Sequence, residues 1–150
     1  MGKLTERLND ASRSGVYRTT RVDALDEAVQ GTRLDCSRIS LEKIDGKEGL
    51  LKKIAAELAF PSWFGANWDA LEDCLADLSW RTPQDKAHGK TQGHLLVIDG
   101  FEGVPNDDLG ILIDVLASSA EFWSGRGTPF FAVFVDPRRL LGLPDLFRER

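Results

Sequence analysis

A group of acidic side chains with no basic neighbours is the feature of this sequence best suited to chemistry. Between positions 61 and 80 there are four carboxylates and no Lys or Arg, namely Asp69, Glu72, Asp73 and Asp77. On a helix, Asp69, Asp73 and Asp77 recur one turn apart, so they share one side of it. Each such pair of like charges repels by about 0.2–0.5 kcal/mol. The acids are therefore expected to be solvated or to bind something positive.

Three interpretations of these acids are open. They could form a solvated helix face, hold a divalent cation between carboxylates at i and i+4, or receive the cations of a protein partner. The preceding turn favours the partner, because it adds two aromatic residues, a glycine and an amide, as the centre of an interface does. The predicted partner-binding residues are Trp63, Phe64, Gly65, Asn67, Asp69, Glu72, Asp73 and Asp77.

The cysteines and histidines predict neither a catalytic centre nor a metal site. Cys36 and Cys74 are too few for a disulfide framework or a metal quartet, and we interpret both as small core residues. His88 and His94 do not have metal-ligand spacing, and we expect both to lie at the surface. The expectation is a protein with no cofactor, no metal and no catalytic residue.

Composition narrows the class of partner. The chain has 150 residues, 42% of them hydrophobic, with 24 acidic against 19 basic side chains and a net charge of -5. An acidic chain of this kind is not expected to bind nucleic acid directly, and a basic protein is the better partner. The longest apolar run, residues 130–135, is far too short to span a membrane. A reduced, cytoplasmic protein is predicted.

Hydrophobic periodicity predicts an α/β fold with a small three-stranded parallel sheet and packed helices. The main elements are a strand at 33–41, a helix at 47–60 stopped by Pro61, a helix at 67–80 capped by Asn67, a strand at 94–99, a helix from Asn106 to Gly125 and a strand at 130–135. A short strand at 15–19 and a helix at 23–30 are expected before them. The predicted division is an N-terminal extension (1–33), a domain (34–136) and a tail (137–150) that packs back.

The stretch that carries the acids resembles a known family. Residues 60–80 read FPSWFGANWDALEDCLADLSW. They are similar to the barstar (barnase inhibitor) family, whose pattern has Pro, an aromatic pair, Gly-x-Asn-x-Asp-Ala-Leu and then Asp-Cys-Leu. The resemblance implies the barstar-like fold and a non-enzymatic inhibitor, or immunity protein. Such a protein plugs the active site of a small, basic ribonuclease or nuclease-domain toxin with this helix and turn, one to one.

The resemblance also implies roles for individual residues. Asp73 would occupy the nuclease's phosphate pocket and Asp69 would pair with a second basic group, while Trp63, Gly65 and Asn67 would pack around the mouth of the cleft. A carboxylate suits the phosphate's place because it accepts charge-assisted hydrogen bonds from Lys and Arg. The acidic helix thereby imitates the RNA backbone.

Several positions depart from the family prototype. Glu72 stands where the prototype has Trp, Asp77 and Leu78 replace a Gly-Trp pair, and Phe122 aligns with an acid of the third helix. These departures keep open a protein-binding module of the same fold without nuclease inhibition. A further alternative is a carboxylate- or metal-dependent enzyme that uses Asp69 and Asp73 as an acid/base or metal pair.

Overall fold

The computed structural model describes residues 2–32, 34–44, 46–60, 65, 67–77 and 93–146. For residues 2–4 it describes the backbone but not the side chains. Its helices and strands, in chain order, are α1 (Gly2–Leu8), β1 (Gly15–Thr19), α2 (Val22–Val29), β2 (Leu34–Ser40), α3 (Gly46–Glu57), α4 (Trp68–Leu75), β3 (Gly93–Asp99), α5 (Asn106–Gly125) and β4 (Phe130–Val135). Two single turns of 3-10 helix, Ala11–Arg13 and Phe101–Gly103, precede β1 and α5.

The four strands form one parallel sheet in the order β1-β4-β3-β2. The predicted α/β class is therefore confirmed, and the three strands of the predicted sheet are β2, β3 and β4. The N-terminal strand pairs with β4, with Tyr17 opposite Val133, and becomes the fourth strand. The continuously apolar β4 lies in the interior of the sheet, as parallel strands covered on both faces do.

The sheet is covered on both faces by apolar side chains. One face packs against α3, α4 and α5, and its buried residues include Leu96, Ile98, Phe130, Ala132 and Phe134. The other face packs against α1 and α2, and its buried strand residues are Leu95, Val97, Phe131 and Val133. Alternate residues of the same strands thus supply both cores.

The N-terminal extension and the tail complete the second core. Leu8 and Leu25 of the two N-terminal helices and Leu146 of the tail are all fully buried there. The tail is held to the edge of β1, where the Arg18 N–H donates to the Pro144 carbonyl at 2.9 Å and the Leu146 N–H donates to the Arg18 carbonyl at 2.9 Å. Division of the chain at residues 33 and 136 stays a prediction.

The helix before the acidic segment ends earlier than the sequence suggested. We expected α3 to run to residue 60 and to stop because of Pro61, but it ends at Glu57, and Pro61 lies outside the described residues. Ala59 takes a left-handed conformation with φ of 55°, and the Phe60 N–H donates to the Ala55 carbonyl at 2.9 Å. This Schellman-type ending satisfies carbonyls of the last turn of α3.

The surface position expected for His94 is wrong. His94, the second residue of β3, is half-buried, with its ring 5.1 Å from the Trp123 ring and 6.2 Å from the Phe130 ring, centroid to centroid. Its place in the strand was expected, but its ring packs against Trp123 of α5. His88 lies outside the described residues.

Candidate protein-binding site

The start of α4 is fixed by Asn67. Asn67 is the N-cap, as predicted, and its Oδ1 accepts a hydrogen bond from the Ala70 N–H at 2.8 Å. This bond satisfies one of the free N–H groups of the first turn. A Cβ atom at Gly65 would lie 3.2 Å from Asn67 Nδ2, so the absence of a side chain at Gly65 leaves room for the capping amide. Both residues are exposed, and Trp63 and Phe64 lie outside the described residues.

Three of the predicted acids lie exposed on the helix that Asn67 starts. We call Asp69, Glu72 and Asp73 the acidic face. Asp69 is in the first turn, where the partial positive charge of the helix N-terminus stabilises a carboxylate. Asp69 and Asp73 are one turn apart, as expected.

The expected row of three aspartates does not continue to Asp77. The predicted helix ran to residue 80, but α4 ends at Leu75, and Asp77 is exposed in the following turn, where its N–H donates to the Cys74 carbonyl at 3.1 Å. The physical reason lies in α5, because Trp123 Nε1 donates to the Leu75 carbonyl at 2.8 Å. A side chain distant in sequence thus satisfies a carbonyl of the last turn. Leu78 and Trp80 lie outside the described residues.

Burial on the opposite side holds α4 in place. Leu71, Cys74 and Leu75 are fully buried, and Trp68 packs half-buried against the same core. The predicted core stripe of the helix is therefore correct over the described residues. The acidic face is presented by a helix anchored through its apolar side and through the hydrogen bond from Trp123.

Within the described part of the chain, no hydrogen bond or ion pair from another residue neutralises the carboxylates of the acidic face. The ion pairs there are Arg18–Asp145, Arg38–Asp26, Lys52–Glu48 and Lys53–Glu57. Asp77 is a different case, since it has an interaction of its own and is not counted among the unpaired carboxylates. The three carboxylates of the acidic face are thus available to cationic groups of another molecule.

The thiol beneath the acidic face is poorly suited to reaction. Burial raises the pKa of Cys74, and the negative charges of Asp73 and Asp77 raise it further. Burial also raises the pKa of Cys36. Both residues remain thiols at neutral pH, whereas a nucleophile or metal ligand must be a thiolate.

The described residues contain no group of three or more His, Cys, Asp or Glu side chains that could hold a metal ion. The two carboxylates of Asp69 and Asp73 are by themselves too few ligands for a bound Mg²⁺ or Ca²⁺, which takes six or more oxygens. The chemistry that the acidic face can perform is the acceptance of charge-assisted hydrogen bonds.

Nothing in the sequence indicated that Trp123, near the end of α5, helps to build the site. Trp123 was expected only to pack, yet it anchors the end of α4. Its neighbour Phe122 is 40% exposed, packs edge-on to Trp123 at 5.5 Å, and carries the Arg126 guanidinium 5.2 Å from its ring centroid. The alignment with the family's third-helix acid had singled out Phe122, and this exposure is consistent with a surface position.

Comparisons with known proteins give one family. The family model described as Barstar (barnase inhibitor) matches residues 34–135, which are 102 of the 150 residues. A search of curated proteins gives no significant match. The matched segment contains β2, β3, β4 and all three helices on the α4 side of the sheet. In the part of the chain that the structure describes, no helix has the length and apolar character to cross a membrane.

Proposed function

The chain belongs to the Barstar (barnase inhibitor) family, a family of non-enzymatic inhibitors, and from this premise we propose that its acidic face blocks the active site of a basic, barnase-type ribonuclease. The observation that carries the proposal is the set of three exposed carboxylates on a helix whose other side is buried. We propose a one-to-one complex in the cytoplasm, with a nuclease or a nuclease-domain toxin as partner and no direct contact with nucleic acid or membrane.

The proposed mechanism is substitution of carboxylates for RNA phosphates. A ribonuclease cleft holds Lys, Arg and His groups that bind a phosphate, and Asp73 takes the place of that phosphate. Asp69 pairs with a second basic group. Both interactions are charge-assisted, and the one to Arg can be bidentate. The exposure of both carboxylates and their lack of ion pairs within the described chain support these roles.

Preorganisation favours this mechanism. The acids lie on a capped helix, so little conformational entropy is lost when the partner binds, apart from that of the side chains. The mutual repulsion of Asp69 and Asp73 is relieved when cations lie between them. The remaining predicted contact residues, which stay a proposal, are Trp63, Phe64, Gly65, Asn67, Glu72 and Asp77. The total buried area of the proposed interface is expected to be about 1,600 Å².

Inhibition of guanyl-specific ribonucleases tests the proposal. Wild-type protein is expected to abolish the activity of at least one member of a panel at micromolar concentration. The double variant Asp69→Asn/Asp73→Asn should lose inhibition while remaining folded. Asp23→Asn/Glu27→Gln is the matched control, because those exposed acids are also one turn apart, on α2 at the other face of the sheet.

Two results would contradict the proposal. One is a panel left fully active by excess wild-type protein. The other is equal loss of inhibition in both double variants, which would indicate attraction by net charge without a defined site. Affinity capture with wild type and the Asp69/Asp73 variant distinguishes the protein-binding alternative: a non-nuclease partner retained only by wild type would support it.

A further inference from the structure

A second charged site lies at the β1 edge of the sheet. It is a pocket of about 410 Å³ formed by α1, the 3-10 turn Ala11–Arg13, β1 and the tail. Every residue that lines it lies outside positions 34–135, so the family match does not account for it. The acidic face belongs to a helix on the other face of the sheet from α1.

The lining of this pocket is strongly basic. Among the residues that the structure describes, it contains three guanidinium groups, those of Arg7, Arg13 and Arg18, and one carboxylate, that of Asp145. The difference is two positive charges around one pocket, in a chain whose net charge is -5. Clustered guanidinium groups repel each other, so a concave basic site in an acidic protein is suited to an anion.

The charge of Arg18 is only partly compensated within the described chain. Its side chain is 14% exposed, and Nε donates to the Leu143 carbonyl at 3.0 Å. Nη1 lies 3.7 Å from Asp145 Oδ2, an ion-pair distance that is too long for a hydrogen bond. Nη1 is buried and has no hydrogen-bond partner in the described part of the molecule. A positive charge held in this way acts strongly on its surroundings because little water screens it.

The other two arginines contribute differently. Arg7 is tied to the tail, since its Nη1 donates to the Leu146 carbonyl. Arg13 is exposed, and its side chain has no hydrogen bond or ion pair to the residues that the structure describes. Arg13 is thus the guanidinium most accessible to a ligand.

An apolar wall completes the pocket. It consists of the Tyr17 ring together with Leu143 and Pro144. Tyr17 is held by packing on Phe131, 5.8 Å between ring centroids, and by a hydrogen bond from its hydroxyl to the Arg13 carbonyl at 2.5 Å. Burial raises the pKa of Tyr17, while the charges of Arg7 and Arg13 oppose that rise, so both charges reach the phenol.

We propose that this pocket binds a small organic oxyanion, a phosphate monoester or a carboxylate, with its charged group at Arg13 and Arg18 and its apolar part against Tyr17 and Pro144. The volume lies in the range of small-molecule sites, about 300–1,000 Å³. Backbone hydrogen bonds between the tail and β1 make the floor rigid. The proposed anion site does not depend on the proposed nuclease inhibition, so a test of one does not decide the other.

Titration with three probes at constant ionic strength tests the site. Calorimetry and backbone amide shifts at Tyr17 and Arg18 report the binding of phenyl phosphate, benzoate and inorganic phosphate. Phenyl phosphate is expected to bind best, because it is dianionic and has a ring. Tighter binding of benzoate would instead show that the natural ligand of the pocket is a carboxylate, the other class of small organic oxyanion in the proposal.

Two variants, each of which removes one positive charge, distinguish a defined anion site from general attraction of anions by the protein's basic groups. Arg13→Gln removes an accessible pocket charge and should weaken phenyl phosphate binding about tenfold, the effect of one charge-assisted hydrogen bond. Arg138→Gln is the matched control, an exposed arginine outside the pocket, and should change affinity less than twofold.

Three results would overturn the inference. They are the absence of saturable binding of every probe at millimolar concentration, equal weakening by the two variants, and binding of inorganic phosphate as tight as that of phenyl phosphate. The last would remove the role of the apolar wall. Because Arg13 makes no side-chain hydrogen bond or ion pair within the described chain, loss of folding is not expected to confuse the result.

Discussion

Replacement of Asp73 by alanine is expected to change folding and binding in opposite directions. In the free protein Asp73 is exposed, has no ion pair among the described residues and repels Asp69 one turn earlier. Asp73→Ala removes that repulsion, about 0.2–0.5 kcal/mol, and improves helix propensity by a similar amount. The free energy of unfolding should therefore rise by about 0.5–1 kcal/mol.

The same substitution, Asp73→Ala, should weaken binding to the nuclease. A carboxylate 4 Å from a cation gains about 4 kcal/mol at an effective dielectric constant of 20. Because Asp73 is solvated in the free protein, its desolvation offsets part of this gain. We expect a loss of at least about 2 kcal/mol, which is about 30-fold in Kd, because the partner's cations stay buried without a counter-charge.

Chemical denaturation and inhibition kinetics measure the two effects. Asp23→Ala is the control, because Asp23 is an exposed acid in the first turn of α2, on the other side of the sheet. It should leave inhibition within twofold of wild type. The reasoning is refuted if Asp73→Ala inhibits as well as wild type, or if it unfolds more easily than wild type by more than about 1 kcal/mol, which exceeds the usual range for exposed sites.

Three further predictions concern the fold. Ala59→Gly should stabilise the protein by about 1 kcal/mol in denaturant titrations, because glycine adopts the left-handed φ of 55° without strain; an unchanged midpoint would contradict this. Trp123→Phe should lower the free energy of unfolding by about 1–3 kcal/mol, since it leaves the Leu75 carbonyl without its donor. A change near zero would show that this hydrogen bond contributes nothing to stability. Tyr17 is the only tyrosine, so tyrosinate absorbance reports it alone, and its pKa should lie above the ordinary 10.0 because burial disfavours the phenolate. Because the pKa is raised in the folded state, the contribution of the Tyr17 hydroxyl to stability is complete below about pH 10 and is lost as the pH rises through the folded pKa. The difference in unfolding free energy between wild type and Tyr17→Phe should therefore shrink only in that alkaline range. A tyrosinate midpoint at or below 10 would be the contrary result.

Local sequence patterns predicted much of what positions the site. The Asn67 cap depends on its own side chain and an N–H three residues away, so it can be read without the rest of the fold. The same holds for α5, which begins at Asn106 with acids in its first turn and ends at Gly125, and for the apolar run of β4. Such features need no knowledge of distant residues.

The sequence-based predictions that were wrong all involve contacts between residues distant in the chain or an unusual residue at a helix end. The length of α4 could not be read from its own residues, because its last turn is satisfied by Trp123, 48 positions later. The ending of α3 uses an alanine where glycine is usual, so the expected signal was absent. His94 was expected at the surface because it adjoins the Gly/Lys/Gln-rich stretch 82–93, which is typical of an exposed loop, whereas the rings of Trp123 and Phe130 cover it.

Except for α1, which was not predicted, the sequence alone determined the order of strands and helices, the parallel sheet and the exposed acids, because apolar periodicity and charge spacing are properties of short segments. Tertiary structure decided which groups those segments bring together. It left Asp69, Glu72 and Asp73 without ion-pair partners among the described residues, and it gathered Arg7, Arg13 and Arg18 around one pocket with the tail, more than 120 residues along the chain. The reason is physical: charge interactions depend on distance and burial in space, and neither is encoded by neighbours in the chain.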